Sequence, residues 1–283
     1  MTPLTHLLII DPQNDFCDQP EAQGRAGNTP ALPVAGAAAD MQRLAALIRA
    51  TGAAIAAITV TLDSHHALDI AHPTFWQRGD GLEVTPFTEI TAQQVRDGEF
   101  QPRAAAARPR ALAYLDALEA RGRYTLMVWP VHCEIGSWGH AVHADVAAAC
   151  QAWEAQHGRS VQAVRKGENP WTEHYSALLA EVPDADDPHT QLNHELIASL
   201  DRAERILIAG EASSHCVRAT TEHVVANLTG RLDRVVLLTD CMSPVAGFEA
   251  EHAAFMTTMQ GLGVQLATTD AVLPRLRDNA LGR

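Results

Sequence analysis

Three short runs in this chain, Leu7-Leu8-Ile9-Ile10, Ile206-Leu207-Ile208-Ala209 and Val235-Val236-Leu237-Leu238, are apolar at every position. A strand with one wet face alternates apolar and polar side chains, so an unbroken apolar run suits a strand covered on both faces. Strands are predicted at His6–Ile10, Ala54–Leu62, Tyr124–Trp129, Val161–Arg165, Arg205–Ala209, Arg234–Thr239 and Val264–Ala267. Alanine-rich helical patterns alternate with them at Gly36–Thr51, Pro109–Arg121, Ala144–His157, Gln191–Leu200, Cys216–Thr229 and Glu249–Gly261. Pro109 suits a first helical turn, and Gly122, Gly158 and Gly230 suit helix C-termini. This alternation predicts an α/β fold, a three-layer α/β/α sandwich around one mainly parallel sheet. Cys17–Val34 and Ser64–Arg108 carry no such pattern, and stretches of that length in compact domains serve mainly as lids or binding segments.

Composition narrows the function. The 283 residues are 47% hydrophobic and 19% charged, enough apolar material for a core and too much for a disordered or fibrous chain. A net charge of −13 repels phosphate backbones and argues against nucleic acid. No stretch approaches the roughly 20 apolar residues of a membrane span. Met1–Asp11 has neither a basic n-region nor a cleavage signal, which predicts a soluble, cytoplasmic protein. The five cysteines are odd in number and widely spaced without a CxxC, so neither a disulfide framework nor a thiolate zinc site is expected.

Chemistry-bearing residues follow the predicted strands one after another. Asp11 follows the first, Asp63 and His65 the second, His132 the third and Lys166 the fourth, while Cys216 lies just beyond the fifth. Open parallel sheets bind ligands outside the carboxyl ends of their strands. A single Asp after a strand is usually a cap or turn residue; five strand ends together point to one site. The Gly210–Cys216 turn places the Cys216 thiol near a helix N-terminus, where backbone N–H groups favour thiolate and hold an oxyanion. A small buried apolar role for Cys216 remains the alternative, and is the expected role of Cys17, Cys133, Cys150 and Cys241. Asp63, His65, His72 and His132 form a carboxylate–imidazole set without thiolate, suited to Zn, Fe or Mn.

These residues resemble the isochorismatase-like cysteine hydrolases, and within them the nicotinamidase/pyrazinamidase group. The likeness is carried by Leu8–Cys17 (LIIDPQNDFC), Thr59–His65 (TVTLDSH), Trp129–Cys133 (WPVHC), Lys166-Gly167 and Gly210–Val217 (GEASSHCV). It implies one hydrolase domain over residues 1–283 with an Asp–Lys–Cys triad at Asp11, Lys166 and Cys216. It further implies a divalent metal ion, Zn before Fe or Mn, on Asp63, His65, His72 and His132. Phe16 and Trp129 would flank the substrate ring, and the N–H groups of Ala212 and Cys216 would form the oxyanion hole beside a cis peptide at Glu211–Ala212. The chain exceeds a usual nicotinamidase at residues 19–33, 73–123 and 170–194, insertions that would reshape the pocket mouth or a homo-oligomer contact.

The resemblance implies cleavage of a small planar amide, nicotinamide first, to a carboxylate and ammonia through a thioester. Another small amide, ureide or carbamoyl compound is the alternative substrate. Two further readings stand beside it: a metal-bound hydroxide as the hydrolytic centre with a structural Cys216, and a silent binding protein on the same fold. A dinucleotide-binding protein is disfavoured, because Asp-Pro-Gln-Asn-Asp, and no GxGxxG turn, follows the first strand.

Overall fold

The computed structural model describes residues 4–19, 28–51 and 54–280. In chain order the elements are β1 (Thr5–Ile10), α1 (Ala37–Thr51), β2 (Ile55–Asp63), β3 (Trp76–Arg78), β4 (Thr88–Ile90), α2 (Ala92–Asp97), β5 (Phe100–Pro102), α3 (Arg108–Arg121) and β6 (Leu126–Val128). They continue as α4 (Ala144–His157), β7 (Gln162–Lys166), α5 (His194–Asp201), β8 (Arg205–Gly210), α6 (Cys216–Asn227), β9 (Val235–Leu238), α7 (Glu249–Gly261), β10 (Gln265–Ala267) and α8 (Thr269–Ala280).

Among the described residues, six strands form one parallel sheet in the order β10-β9-β8-β1-β2-β7. Its centre is β1, where Leu7, Leu8, Ile9 and Ile10 are fully buried. The chain moves one way from β1 through β2 to β7, and the other way from β8 to β10. Right-handed crossovers running in opposite directions lie on opposite faces. So α1 packs with α4 and α8 on one face, and α6 packs along β8 on the other. The expected three-layer sandwich is the observed architecture. The change of direction beside β1 opens a crevice at the strand C-termini.

Two expectations need correction. Tyr124–Trp129 is not a strand of the central sheet: its core, β6, pairs antiparallel with β4 in a separate two-stranded sheet. The reason is that β7 already occupies the edge of β2, in register from Thr59↔Gln162 to Asp63↔Lys166. Nor is Ser64–Arg108 merely irregular. It contains the β3–β5 pair, and α2 is closed by a full Thr91/Gln94 capping box. Trp76 at the start of β3 is completely buried. The C-terminal helix α8 escaped the sequence pattern because Pro274 interrupts it. Of the 19–33 insertion, residues 20–27 lie outside the described residues.

Candidate active site

Three strand ends and one helix start converge in the crevice. Asp11, one residue past β1, takes a left-handed φ of +45°, a conformation that Asp tolerates better than most residues. Its N–H donates to Thr61 Oγ1 at 3.0 Å, and the Thr61 hydroxyl donates back to Asp11 Oδ1 at 2.5 Å. Lys166 ends β7, and its Nζ lies 2.9 Å from Asp11 Oδ2, 2.8 Å from Asp63 Oδ1 and 3.5 Å from Cys216 Sγ. Cys216 is the first residue of α6. Gly210 makes this approach possible: a Cβ there would sit 1.9 Å from the Ile10 carbonyl oxygen, beside the Glu211 N–H that donates to it. The Glu211–Ala212 peptide is cis, as the resemblance implied. Among the described residues, the Ala212 and Cys216 N–H groups meet no hydrogen-bond acceptor.

Charge in this cluster is set by burial and pairing. Burial opposes a charged Lys166, but the charges of Asp11, Asp63 and Cys216 raise its pKa well above the ordinary value, so it is an ammonium. Burial, helped by the charge of Asp63, raises Asp11 against the pull of Lys166. Burial would raise Asp63 too, but the charges of His65 and Lys166 hold it well below the usual carboxylate range. Burial pushes the Cys216 thiol well up, and Lys166 only partly offsets this. The sequence pattern predicts a thiol tuned toward thiolate; in the structure burial works against that tuning and the Lys166 charge works for it.

Next to Asp63 the three histidines meet. His65 Nε2 is 3.1 Å and His132 Nε2 3.3 Å from Asp63 Oδ2, and His72 Nε2 approaches His132 Nδ1 at 3.3 Å. His65 is tied to the His132 segment by backbone: its N–H donates to Cys133 O and its carbonyl accepts from Ile135. On its far side His65 Nδ1 pairs with Asp69 Oδ2 at 3.1 Å, the carboxylate–imidazole support common behind metal-ligating histidines. Burial, with the neighbouring His132 and His65 charges, lowers His72 to about 2, keeping it the neutral imidazole a metal requires. His65 Nε2, although 3.1 Å from Asp63 Oδ2, is not aligned with it for a hydrogen bond. The three imidazoles lie close enough to share one ion, and the Asp63 carboxylate stands 3.1 and 3.3 Å from two of them, a donor set that fits a divalent cation such as Zn²⁺.

A cavity opens over Cys216, walled by Phe16, Leu32, Asp63, Trp129, His132, Glu173, Tyr175, Ala212, His215 and Val245. Phe16 packs edge-on to His132 and Trp129 edge-on to His215. Of the ten residues singled out from the sequence, Phe16, Asp63, Trp129, His132, Ala212 and Cys216 line the cavity, while Asp11 and Lys166 belong to the thiol cluster and His65 and His72 to the imidazole cluster. Sequence reasoning missed Glu173, Tyr175 and His215. Burial raises Glu173 to about 7, and the Tyr175 hydroxyl accepts from Trp129 Nε1 at 3.0 Å. The available signal was an acid set among aromatics, Trp171-Thr172-Glu173-His174-Tyr175, shortly after the lysine; it lay inside a stretch taken for an insertion.

The fold is shared with solved isochorismatase-like hydrolases, among them one from Alkaliphilus metalliredigens at 13% identity and a TM-score of 0.54, covering 96% of this chain and 98% of that one. Similar solved structures include two more specific enzymes. The yeast nicotinamidase bound to the inhibitor nicotinaldehyde aligns at 17% identity and a TM-score of 0.63, over 94% of this chain and all of that one. The Pyrococcus horikoshii pyrazinamidase in complex with zinc aligns at 18% identity and a TM-score of 0.55, over 94% and 99%. Identities this low establish a shared fold. No family model and no curated protein matches the sequence. Among the described residues, no helix is long and apolar enough to cross a membrane.

Proposed function

We propose that this protein is a cysteine amidohydrolase that releases ammonia from a small planar amide, nicotinamide or a close relative. One observation carries the reading: the Lys166 ammonium bonds Asp11 and Asp63 and touches the Cys216 thiol, at the floor of a cavity with aromatic walls. A silent binding protein has no use for that arrangement.

The steps follow from the side chains. As Cys216 Sγ attacks the amide carbon, its proton passes to Asp11, whose raised basicity suits it to accept. The carbonyl oxygen becomes an oxyanion and takes hydrogen bonds from the Ala212 and Cys216 N–H groups, each such donor worth about 3 kcal/mol. Lys166 stays an ammonium throughout and stabilises each anion as it forms. Asp11 then gives its proton to the departing nitrogen, the C–N bond breaks, and ammonia leaves behind a thioester on Cys216. Water attacks the thioester with Asp11 again as base; the C–S bond breaks, the carboxylate departs and the thiol is restored. A divalent ion on Asp63, His65, His72 and His132 would supply a Lewis-acid anchor for a ring nitrogen or substrate oxygen. Phe16 and Trp129 orient the ring, and the mostly apolar lining excludes bulk water.

Glu173 favours a second substrate within the same chemistry. A buried carboxyl group near neutrality offers a donor or an acceptor, which suits a ureide or carbamoyl compound with several N–H groups. Ammonia release from nicotinamide, pyrazinamide, aliphatic amides and ureides, with and without chelator, separates these readings. Absence of release from every amide would overturn the proposal.

A further inference from the structure

The turn that leads into β4 carries a phenylalanine where its backbone favours glycine. Thr85–Thr88 is a turn with Pro86 and Phe87 at its centre, closed by the Thr88 hydroxyl, which donates to the Thr85 carbonyl at 2.7 Å. Proline followed by a positive φ is the type II pattern, whose second central position is normally glycine. Phe87 holds that position at φ +64°, an unfavourable conformation for a bulky side chain. Burial does not explain the residue, because it is 54% exposed.

Strand register supplies the reason. β4 and β6 pair antiparallel with Thr88 opposite Val128, so one step further out Phe87 stands opposite Trp129. The Phe87 N–H donates to the Val128 carbonyl at 2.6 Å, and the Phe87 and Trp129 rings meet edge to face, 5.9 Å apart at 84°. Trp129 is 3% exposed and walls the cavity over Cys216. Its other aromatic neighbours come from loops: Tyr175, which accepts the indole N–H at 3.0 Å, and the rings of His215 and Phe248 at 5.1 and 6.4 Å. Among these neighbours Phe87 is the one fixed by strand pairing. It is not part of the cavity wall itself.

The geometry points to Phe87 as a positioning residue for the substrate: its ring braces Trp129 and so sets the slot between Trp129 and Phe16 that holds a flat ring amide. This rests on the reading of the cavity as the substrate pocket of an amidohydrolase. Phe87 acts through Trp129 and touches neither the substrate nor Cys216. Glycine would fit the turn better, but it has no ring to set against the indole, and an edge-to-face aromatic pair fixes orientation as well as distance.

The test labels the protein with fluorotryptophan and follows Trp129 by fluorine NMR, its signal identified by its loss in Trp129→Phe. Phe87→Ala and Phe87→Gly should shift or broaden that signal. Both should raise KM about threefold or more, with a smaller change in kcat, for whichever of nicotinamide and pyrazinamide the wild type hydrolyses faster. Phe87→Tyr keeps the ring and should restore the wild-type signal and KM. The two truncations separate ring from backbone, because alanine retains the unfavourable φ and glycine relieves it. Phe87→Gly should therefore melt no lower than Phe87→Ala while sharing its raised KM. Iodoacetamide, which carries no ring, should alkylate Cys216 at the wild-type rate in all three variants. A Trp129 signal unchanged in both truncations overturns the brace. A KM that stays at the wild-type value, or that Phe87→Gly restores, overturns the positioning role. Failure of the underlying reading looks different: the fluorine signal moves as expected, but the wild type releases ammonia from no ring amide.

Discussion

Asp63 and Lys166 meet twice: they are register partners on β2 and β7, and their side chains form an ion pair at 2.8 Å. The same Asp63 carboxylate turns its other oxygen to His65 and His132, at 3.1 and 3.3 Å. One side chain therefore belongs to both the thiol cluster and the imidazole cluster. The two ends of this link should move the thiol in opposite directions. Lys166→Met removes the cation that lowers the Cys216 pKa, so the midpoint of pH-dependent alkylation should rise. Asp63→Asn removes an anion that raises it, so the midpoint should fall. Lys166→Met should also cost about 3–5 kcal/mol of stability, because it strands buried carboxylates. Arginine should not rescue Lys166, since a planar fork cannot replace a compact ammonium. Alkylation profiles that coincide in all three proteins would refute the electrostatic role.

Cys216 should be the single essential thiol. All five cysteines are buried and burial raises the pKa of each; what sets Cys216 apart is its contact with Lys166 Nζ at 3.5 Å. Cys216→Ala or Cys216→Ser should lower turnover by about 10³-fold or more, while Cys150→Ala should leave it unchanged. Mass spectrometry of protein trapped with substrate checks the site of the acyl adduct. An adduct on another cysteine would refute the assignment.

What the sequence reveals about this site depends on how locally each feature is encoded. The runs around Leu7–Ile10 and Ile206–Ala209 announce buried parallel strands by themselves, and Asp11, Lys166 and Cys216 follow because strand ends share a rim. Pairing is not encoded so locally. Leu126–Val128 is as apolar as a central strand, yet its partner is Thr88–Ile90, and nothing in either segment names the other. Glu173 and Tyr175 reach the cavity from a loop without periodicity, held by tertiary bonds such as Glu173 N–H to Tyr114 Oη and Glu181 N–H to Glu173 O. The capping box at Thr91 and Gln94 was readable, but it lay in a stretch with no apolar period to attract attention.

Glu173 makes stability depend on pH. Its folded pKa is raised from 4.5 to about 7 by burial, so between those values the unfolded chain has released a proton that the folded protein retains. Stability from this group is full below the unfolded pKa and is lost as pH rises toward 7, by roughly 3 kcal/mol in all. Glu173→Gln should remove that slope. Melting temperatures across this window should fall for the wild type relative to the variant, and parallel curves would contradict the raised pKa.

The imidazole cluster predicts that metal and fold are coupled. His65 and His72 lie in the stretch that follows β2, whereas His132 arrives after β6, with the β3–β5 pair, β4, α2 and α3 in between. A cation bound by all of them would pin that excursion to the sheet, and an ion that binds only the folded state stabilises it by mass action. Chelation should therefore lower the melting temperature together with ammonia release. Four protein ligands in a tetrahedron would close the site, so a coordination number of five or six with water-filled positions is expected. His132→Ala should reduce metal content and raise KM while leaving Cys216 alkylation largely intact, because Lys166, and not His132, touches the thiol. Elemental analysis of both proteins after reconstitution with Zn, Fe or Mn, alongside alkylation rates, checks each part. Wild-type protein that retains no metal yet hydrolyses its amide at full rate would return Asp63, His65, His72 and His132 to hydrogen-bonding roles.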